Sequence, residues 1–378
     1  MDKKNKRRIL IKRIKKKFFR WAVFFGRTVF GVFCCIISMY FIVSLAKSGS
    51  DIFYYAMAFA SPGTAIEYLN APPEKEEPYF EHGEENTEET EEQTETEEKN
   101  PPEEEKIIPE VPENRRGKVT ETQYSAKEGG LYVAYKNAII KNFTHHSANE
   151  IKSMLETKHD LSLSTDGIPS VLIYHTHATE GYEPADRGYF DLDGTWRSTE
   201  PDENMTAVGE VISSALAEKG IGVIHDRTLH DDPSYNGSYQ RSAVTIKKHL
   251  DENSGITVCL DIHRDAIEPS ETEIIKPTAV INGKKAAQIM IIAGCDDGTM
   301  NMPDYAENLR FAVALMDKLE EMYPGICRPI LFDYRKYNMD LSPGLLLIEI
   351  GATGNTLDEA KYSAELLANA LYALFSEE

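Results

Sequence analysis

The spacing of apolar residues predicts regular secondary structure from about residue 168 to the end of the chain. Short apolar runs bounded by polar segments are typical of buried strands, and longer amphipathic stretches between them are typical of helices. The predicted strands are 169–174, 221–225, 256–262, 277–281, 287–293, 328–333 and 344–350, and the predicted helices are about 204–219, 238–252, 303–323 and 356–376. This alternation predicts an α/β fold, a twisted and mostly parallel sheet with helices on both faces.

Shorter elements and one turn complete this pattern. A strand at 131–135 and a helix at 148–157 precede the main series. Asn282-Gly283 lies between the apolar runs 277–281 and 287–293, and this dipeptide favours a tight hairpin turn. We therefore expect those two runs to be antiparallel neighbours.

The N-terminal part of the chain has a different pattern. Residues 28–46 carry no charge, and 19 such residues just span a hydrocarbon core of about 30 Å. Lys and Arg are concentrated in residues 1–27, so the positive-inside rule predicts a basic cytoplasmic tail and a single-pass anchor, with the rest of the chain outside the cytoplasm. A cleaved signal peptide is the alternative, but its basic and apolar regions are usually shorter.

Composition then divides the rest of the chain into three parts. Residues 47–70 form a juxtamembrane segment, and residues 71–118 are too rich in Glu, Thr and Pro to bury a core, which predicts a disordered linker. Residues 119–378 are the predicted catalytic domain. The chain as a whole carries a net charge of −21, and the predicted domain is itself acidic. Nucleic acid is therefore an improbable partner, because phosphate contacts require Lys and Arg.

Side chains that bind metals or transfer protons follow three of the apolar runs. His175, His177 and Glu180 come after the run 169–174, His263 follows the run 256–262, and Glu349 follows the apolar residues 345–348. Carboxyl ends of parallel strands meet at one edge of a sheet, where α/β proteins build their sites. Imidazole and carboxylate suit Zn²⁺, which lowers the pKa of bound water to about 7.

This pattern predicts a hydrolytic zinc site. The expected ligands are His177, Glu180 and His263, with Glu349 as the acid/base. His177 is preferred over His175 because it lies further beyond the end of the strand. The chain contains no Cys-x-x-Cys and no Gly-x-Ser-x-Gly motif, which argues against thiolate zinc and serine chemistry.

Each of these signals also has a simpler explanation. A His-x-His pair is common by chance, the stretch 263–265 is compatible with a surface turn, and Glu349 is compatible with a helix cap. Their joint occurrence at strand ends favours a site. His175, Arg264 and Asp265 are weaker candidates for substrate binding or for support of the ligands.

At these positions the chain resembles the stage II sporulation protein P family, membrane-anchored cell-wall hydrolases of endospore-forming Firmicutes. The resemblance covers about residues 120–378. The stretches that carry it are YHTHATE at 174–180, GIGVIHD at 220–226, DIHRDA at 261–266, LLIEIG at 346–351 and NTLDEA at 355–360. The family is similar in turn to the zinc-dependent N-acetylmuramoyl-L-alanine amidases, whose ligands are His, Glu and His.

The resemblance implies a peptidoglycan amidase with Zn²⁺ as cofactor, and endopeptidase activity is also known in the family. It implies that His177, Glu180 and His263 are ligands and that Glu349 is the catalytic acid/base. One departure concerns Glu180: in the broader amidases the Glu ligand follows the first His at a much greater distance, and Glu180 follows His177 by three positions. The later residues Glu200, Glu203 and Glu210 are therefore the alternative carboxylates.

The resemblance further implies a role in septal thinning and engulfment during sporulation. The expected partners are peptidoglycan, the lytic transglycosylase stage II sporulation protein D, other membrane engulfment proteins and, through the anchor, membrane lipid. The expected location is the cell membrane, with the domain between the two sporulation membranes. Two alternatives stay open: a stem-peptide metallo-endopeptidase, and a non-enzymatic peptidoglycan-binding scaffold.

Overall fold

The computed structural model describes residue 108 and residues 110–376, which belong to one compact unit. The predicted tail, the predicted membrane anchor, the juxtamembrane segment and the linker up to residue 107 lie outside the described residues. Within the described part, no helix combines the length and hydropathy needed to cross a membrane.

The described part of the chain contains twelve strands and five α-helices. The strands are β1 (Arg116–Thr122), β2 (Tyr132–Tyr135), β3 (Ala138–Asn142), β4 (Pro169–Tyr174), β5 (Tyr189–Asp191), β6 (Gly222–His225), β7 (Val258–Asp265), β8 (Glu273–Ile281), β9 (Lys284–Ala287), β10 (Ile289–Gly294), β11 (Ile330–Asp333) and β12 (Leu345–Ala352). The helices are α1 (Ala148–Met154), α2 (Met205–Ala217), α3 (Ser238–Glu252), α4 (Tyr305–Met322) and α5 (Leu357–Ser376). The predicted mixed α/β fold is confirmed.

The larger of two sheets has eight strands in the order β2-β3-β11-β10-β12-β7-β4-β6. Two neighbouring pairs, β2–β3 and β10–β12, are antiparallel, and the other five are parallel. The sheet is therefore mostly parallel, as predicted. Strands β12, β7, β4 and β6 run in one direction, so their carboxyl ends share one edge.

Helices cover both faces of this sheet. On one face, alternate strand residues such as Ile173, Leu260 and Ile348 pack in a large core with α2, α4 and α5. On the other face, Leu172, Cys259 and Leu347 pack in a smaller core with residues of α3. The alternation of burial along continuous apolar strands explains both cores, because successive side chains point to opposite faces. Fewer helices cover the second face, and the candidate site lies on that face.

Side-chain caps fix the starts of two helices. The Asn204 side chain accepts a hydrogen bond from Thr206 N at 2.9 Å and caps α2, as its position predicts. Ser147 and Glu150 form a reciprocal capping box at the start of α1. Such caps satisfy amide groups that have no partner inside the helix.

A second sheet, in the order β5-β1-β8-β9, was not predicted. The Asn282-Gly283 turn does make a hairpin, and both residues have the positive φ that a type I′ turn requires. Its second strand is β9, however, and not the apolar run that becomes β10. The expected pairing of 277–281 with 287–293 is wrong, because β10 belongs to the large sheet, where it pairs with β12. Strand β1 begins at Arg116, inside the segment predicted as linker.

Candidate active site

Three neighbouring parallel strands bring the predicted site residues together. Strand β7 lies between β4 and β12, with Tyr174 in register with Asp261 and Glu349 in register with His263. His177 and Glu180 follow β4 in the loop beyond Tyr174. We call His177, Glu180, His263 and Glu349 the His/Glu cluster.

The loop after β4 is held in place by two buried carboxylates. Asp261 accepts hydrogen bonds from Thr176 N at 2.8 Å and from Thr176 Oγ1 at 2.7 Å. Asp231, from the segment after β6, accepts hydrogen bonds from Thr179 N at 3.2 Å and from Thr179 Oγ1 at 2.6 Å. Each threonine neighbours a residue of the His/Glu cluster, so the two carboxylates fix the loop that carries His177 and Glu180.

The two imidazoles of the cluster face each other nearly at right angles. The ring centroids of His177 and His263 are 5.3 Å apart, with an interplanar angle of 87°. His263 Nδ1 lies 3.7 Å from Glu180 Oε2, and His263 Nε2 lies 2.8 Å from Asp261 Oδ1. The second contact has the distance of an ion pair but not the angle of a hydrogen bond. Two imidazoles and one carboxylate are thus gathered in one buried place.

The surroundings shift the pKa values of His177 and His263 in opposite directions. Burial, together with the neighbouring His263, lowers the pKa of His177 to about 2, so this imidazole is neutral. Burial also lowers the pKa of His263, but the Asp261 carboxylate more than offsets it, and the pKa rises to about 9. His263 must therefore lose a proton before it can bind a metal.

Glu349 is the carboxylate of the cluster with the fewest contacts. Its Oε2 is buried and has no hydrogen-bond partner among residues 108 and 110–376, although the residue as a whole is partly exposed. Burial raises the pKa of Glu349 to about 8, and the Asp265 carboxylate adds to the rise while His263 opposes it. The carboxyl group therefore retains a proton at neutral pH.

The donor types of the His/Glu cluster suit a metal ion. The donor atoms do not, however, already surround a single point. Within residues 108 and 110–376, no three His, Cys, Asp or Glu side chains are already arranged to enclose an ion. Two ligand atoms bound to one tetrahedral zinc lie about 3.4 Å apart, close to the 3.7 Å between Glu180 Oε2 and His263 Nδ1. His177 Nδ1 is buried without a hydrogen-bond partner in the part of the chain that the structure describes. Side-chain movement would have to complete the set.

The three weaker candidates have other contacts. His175 is fully buried; its Nδ1 contacts Ile262 O at 3.0 Å and its Nε2 contacts His225 Nε2 at 2.9 Å. Arg264 donates to Gly181 O at 2.8 Å and to Trp196 O at 3.3 Å. These contacts give both residues a supporting place behind the cluster.

Asp265, the third weaker candidate, pairs with Arg328 at 2.8 Å. It lies two positions beyond His263 on the same strand, close enough to raise the pKa of Glu349. Asp265 therefore borders the cluster.

Several residues at the site escaped the sequence analysis. Asp261 lies two positions before His263 on a strand, so the period of two could have revealed that both point to one face. Asp231, Arg197 and Tyr235 come from loops that are distant in sequence. Tyr235 stacks on His177 with centroids 4.2 Å apart, and no local pattern predicts that contact.

A family model and a curated relative point to the same family. The family model described as "Stage II sporulation protein P (SpoIIP)" matches residues 48–372. Stage II sporulation protein P of Bacillus subtilis (strain 168) is 32% identical over 218 residues, which is 55% of this chain and 50% of the relative. The match thus spans about half the length of that relative.

Solved amidase structures show a weaker similarity. The amidase Ami1 from Mycobacterium smegmatis is 11% identical, with a TM-score of 0.34 over 56% of this chain and 100% of that one. The CwlD amidase from Clostridioides difficile, in complex with the GerS lipoprotein, is 14% identical, with a TM-score of 0.33 over 55% of this chain and 97% of that one. Similarity at this level assigns neither fold nor activity. On the family model, which covers most of its length, the chain belongs to the stage II sporulation protein P family.

Proposed function

We propose that the domain is a zinc-dependent peptidoglycan hydrolase, an N-acetylmuramoyl-L-alanine amidase that acts during sporulation. The observation that carries the proposal is the His/Glu cluster itself. Two imidazoles and two carboxylates from three adjacent strands meet at one edge of the sheet, and His177 Nδ1 and Glu349 Oε2 there are buried without a hydrogen-bond partner among the described residues. Membership of the sporulation family supports the same reading.

Each residue has a specific part in this proposal. His177, Glu180 and His263 would hold Zn²⁺, and Asp261 would orient His263 from behind, as carboxylates commonly do for histidine ligands. When bound, zinc polarises the scissile carbonyl and lowers the pKa of water. Glu349 exchanges the proton: its pKa of about 8 places it near working pH, where a carboxyl group can both take a proton and return one to the leaving amine.

The setting of the enzyme is also part of the proposal. An anchor at residues 28–46 would hold the domain outside the cytoplasm, with the acidic segment as a tether. We further propose stage II sporulation protein D and other engulfment proteins as partners. The family membership supports this setting.

The test is mass spectrometry of the products released from purified sacculi by the full-length chain, with and without a zinc chelator. The expected result is free stem peptides and unsubstituted glycan, lost on chelation and restored by zinc. The matched control is a Glu349→Gln variant, which should bind zinc and release products at least about a hundredfold more slowly.

Other products would change the conclusion in defined ways. Shortened cross-links without free stem peptides would show that the activity is that of a stem-peptide endopeptidase and not of an amidase. Intact sacculi together with the absence of zinc from the purified chain would contradict the proposed enzymatic activity. The protein would then be interpreted as a peptidoglycan-binding scaffold.

A further inference from the structure

An exposed arginine lies at the mouth of the His/Glu cluster. Arg197 belongs to the segment between β5 and α2, and its backbone forms an isolated antiparallel bridge with Glu180. The adjacent hydrogen bond from Gly181 N to Trp196 O, 2.7 Å long, keeps the two segments side by side. Arg197 is therefore tied to the loop that carries a predicted ligand.

The guanidinium of Arg197 is held rigidly on one side. Its Nη1 donates to Asp231 Oδ2 at 2.8 Å and to Thr179 Oγ1 at 3.0 Å, and the Asp231 side chain is fully buried. The guanidinium carbon lies 4.9 Å from the centroid of the Tyr235 ring, and Tyr235 stacks in turn on His177. These contacts fix the plane of the guanidinium relative to His177.

The other edge of the guanidinium remains available. Nε and Nη2 make no hydrogen bond with any described residue, and Glu180 Oε1 is 3.9 Å from Nη2. The side chain is 40% exposed. The side chain of the neighbouring Arg264, by contrast, donates hydrogen bonds to backbone carbonyls. Arg197 thus presents two parallel N–H groups next to the cluster, the geometry that binds a carboxylate in bidentate fashion.

We propose that Arg197 binds a free carboxylate of the substrate next to the scissile amide and so determines specificity for acidic stem peptides. This inference rests on the proposed function, because it assumes that the amide lies at the His/Glu cluster. The available edge offers one planar pair of donors, which matches the two oxygens of a carboxylate. A carboxamide at the same place would offer one acceptor and lose the charge.

The test compares the binding of two muramoyl dipeptides that differ at one group. In one, the second residue carries a free α-carboxylate, and in the other the same group is a carboxamide. Dissociation constants are measured by calorimetry with the zinc-loaded, full-length chain carrying Glu349→Gln, so that neither ligand is consumed. A charged hydrogen bond of this kind favours the carboxylate by about ten- to a hundredfold.

The substitution Arg197→Gln should remove most of that preference, and Arg197→Lys should retain part of it. The matched control is Arg115→Gln. Arg115 is 39% exposed and pairs with Asp191 at 2.6 Å, but it lies beside the small sheet. This control should leave the preference unchanged.

Two outcomes would overturn the proposal. One is an equal affinity of the unsubstituted Arg197 chain for both ligands. The other is an Arg197→Gln chain that loses affinity for both ligands by the same factor, as a purely structural residue would. Failure of the proposed function gives a different signature, since it appears as intact sacculi in the turnover assay whatever the ratio of the two dissociation constants.

Discussion

Two groups of buried charged side chains in this domain differ in how their charges are compensated. Lys276, 1% exposed, lies 2.6 Å from Glu359 Oε1 and 2.9 Å from Asp186 Oδ1, and we call these three residues the Lys276 cluster. In the His/Glu cluster, by contrast, Glu349 has no cation within ion-pair distance in the described part of the chain. Glu349 Oε2 and Lys276 Nζ both lack a hydrogen-bond partner there, so the difference between the two clusters lies in their ion pairs.

The difference separates a structural use of buried charge from a functional one. An ion pair in the interior offsets the cost of desolvation, so the Lys276 cluster can join the small sheet to α5 without any ligand. An uncompensated carboxyl group shifts its pKa instead, and such groups concentrate at sites that bind or react. Each cluster therefore predicts its own response to mutation.

The largest expected effect is on turnover by Glu349→Gln. Loss of a general acid/base lowers the rate by about 10²- to 10⁴-fold. The folded domain should remain about as stable as before, because the buried Oε2 has no hydrogen-bond partner among the described residues that the amide would lose. Product release from sacculi and urea unfolding measure the two effects. A variant with near-normal turnover would remove Glu349 from the reaction.

The next effect is on stability, by Lys276→Met. Removing one member of a buried ion pair leaves its partner uncompensated, which typically costs about 3 to 5 kcal/mol of unfolding free energy. The matched control is Lys285→Met. Lys285 contacts Asp186 and Glu121 but is 42% exposed, so its loss should cost less than about 1 kcal/mol. Similar costs for both variants would show that burial does not distinguish them.

The third expected effect is the stabilisation of the folded chain by added zinc, which should depend on the His/Glu cluster and not on the Lys276 cluster. Free zinc at a hundred times its dissociation constant should stabilise the chain by about 2.7 kcal/mol. His263→Ala should lose this increment, and Lys276→Met should keep it while it starts from a lower stability. Thermal unfolding with and without zinc measures both. An increment that survives His263→Ala would place the metal elsewhere.

The sequence predicted the strands that carry the site better than it predicted the surroundings. β4, β7 and β12 are buried on both faces and appear as continuous apolar runs, so their carboxyl ends and the residues that follow could be located. β5 has three residues and β1 alternates only weakly in burial, so neither has a distinct pattern. Asp231 and Arg197 reach the site from loops, and only tertiary packing brings them to Thr179.

The smallest expected effect concerns the exposed member of the Lys276 cluster and depends on pH. The hydrogen bond from Lys285 and then the close Lys276 ammonium lower the pKa of Asp186 below its usual 3.8. A lowered carboxyl pKa contributes stability above the unfolded value of about 3.8 and loses it as the pH falls through the folded value.

Because the Asp186 side chain is 44% exposed, Asp186→Asn should cost no more than about 1 kcal/mol at pH 7. The cost should vanish once Asp186 is protonated in the folded state as well. Urea unfolding of both chains at pH 7 and at the most acidic pH at which they remain folded measures the difference. An equal loss at both pH values would show that the amide disturbs packing, and that the charge of Asp186 contributes nothing to the Lys276 cluster.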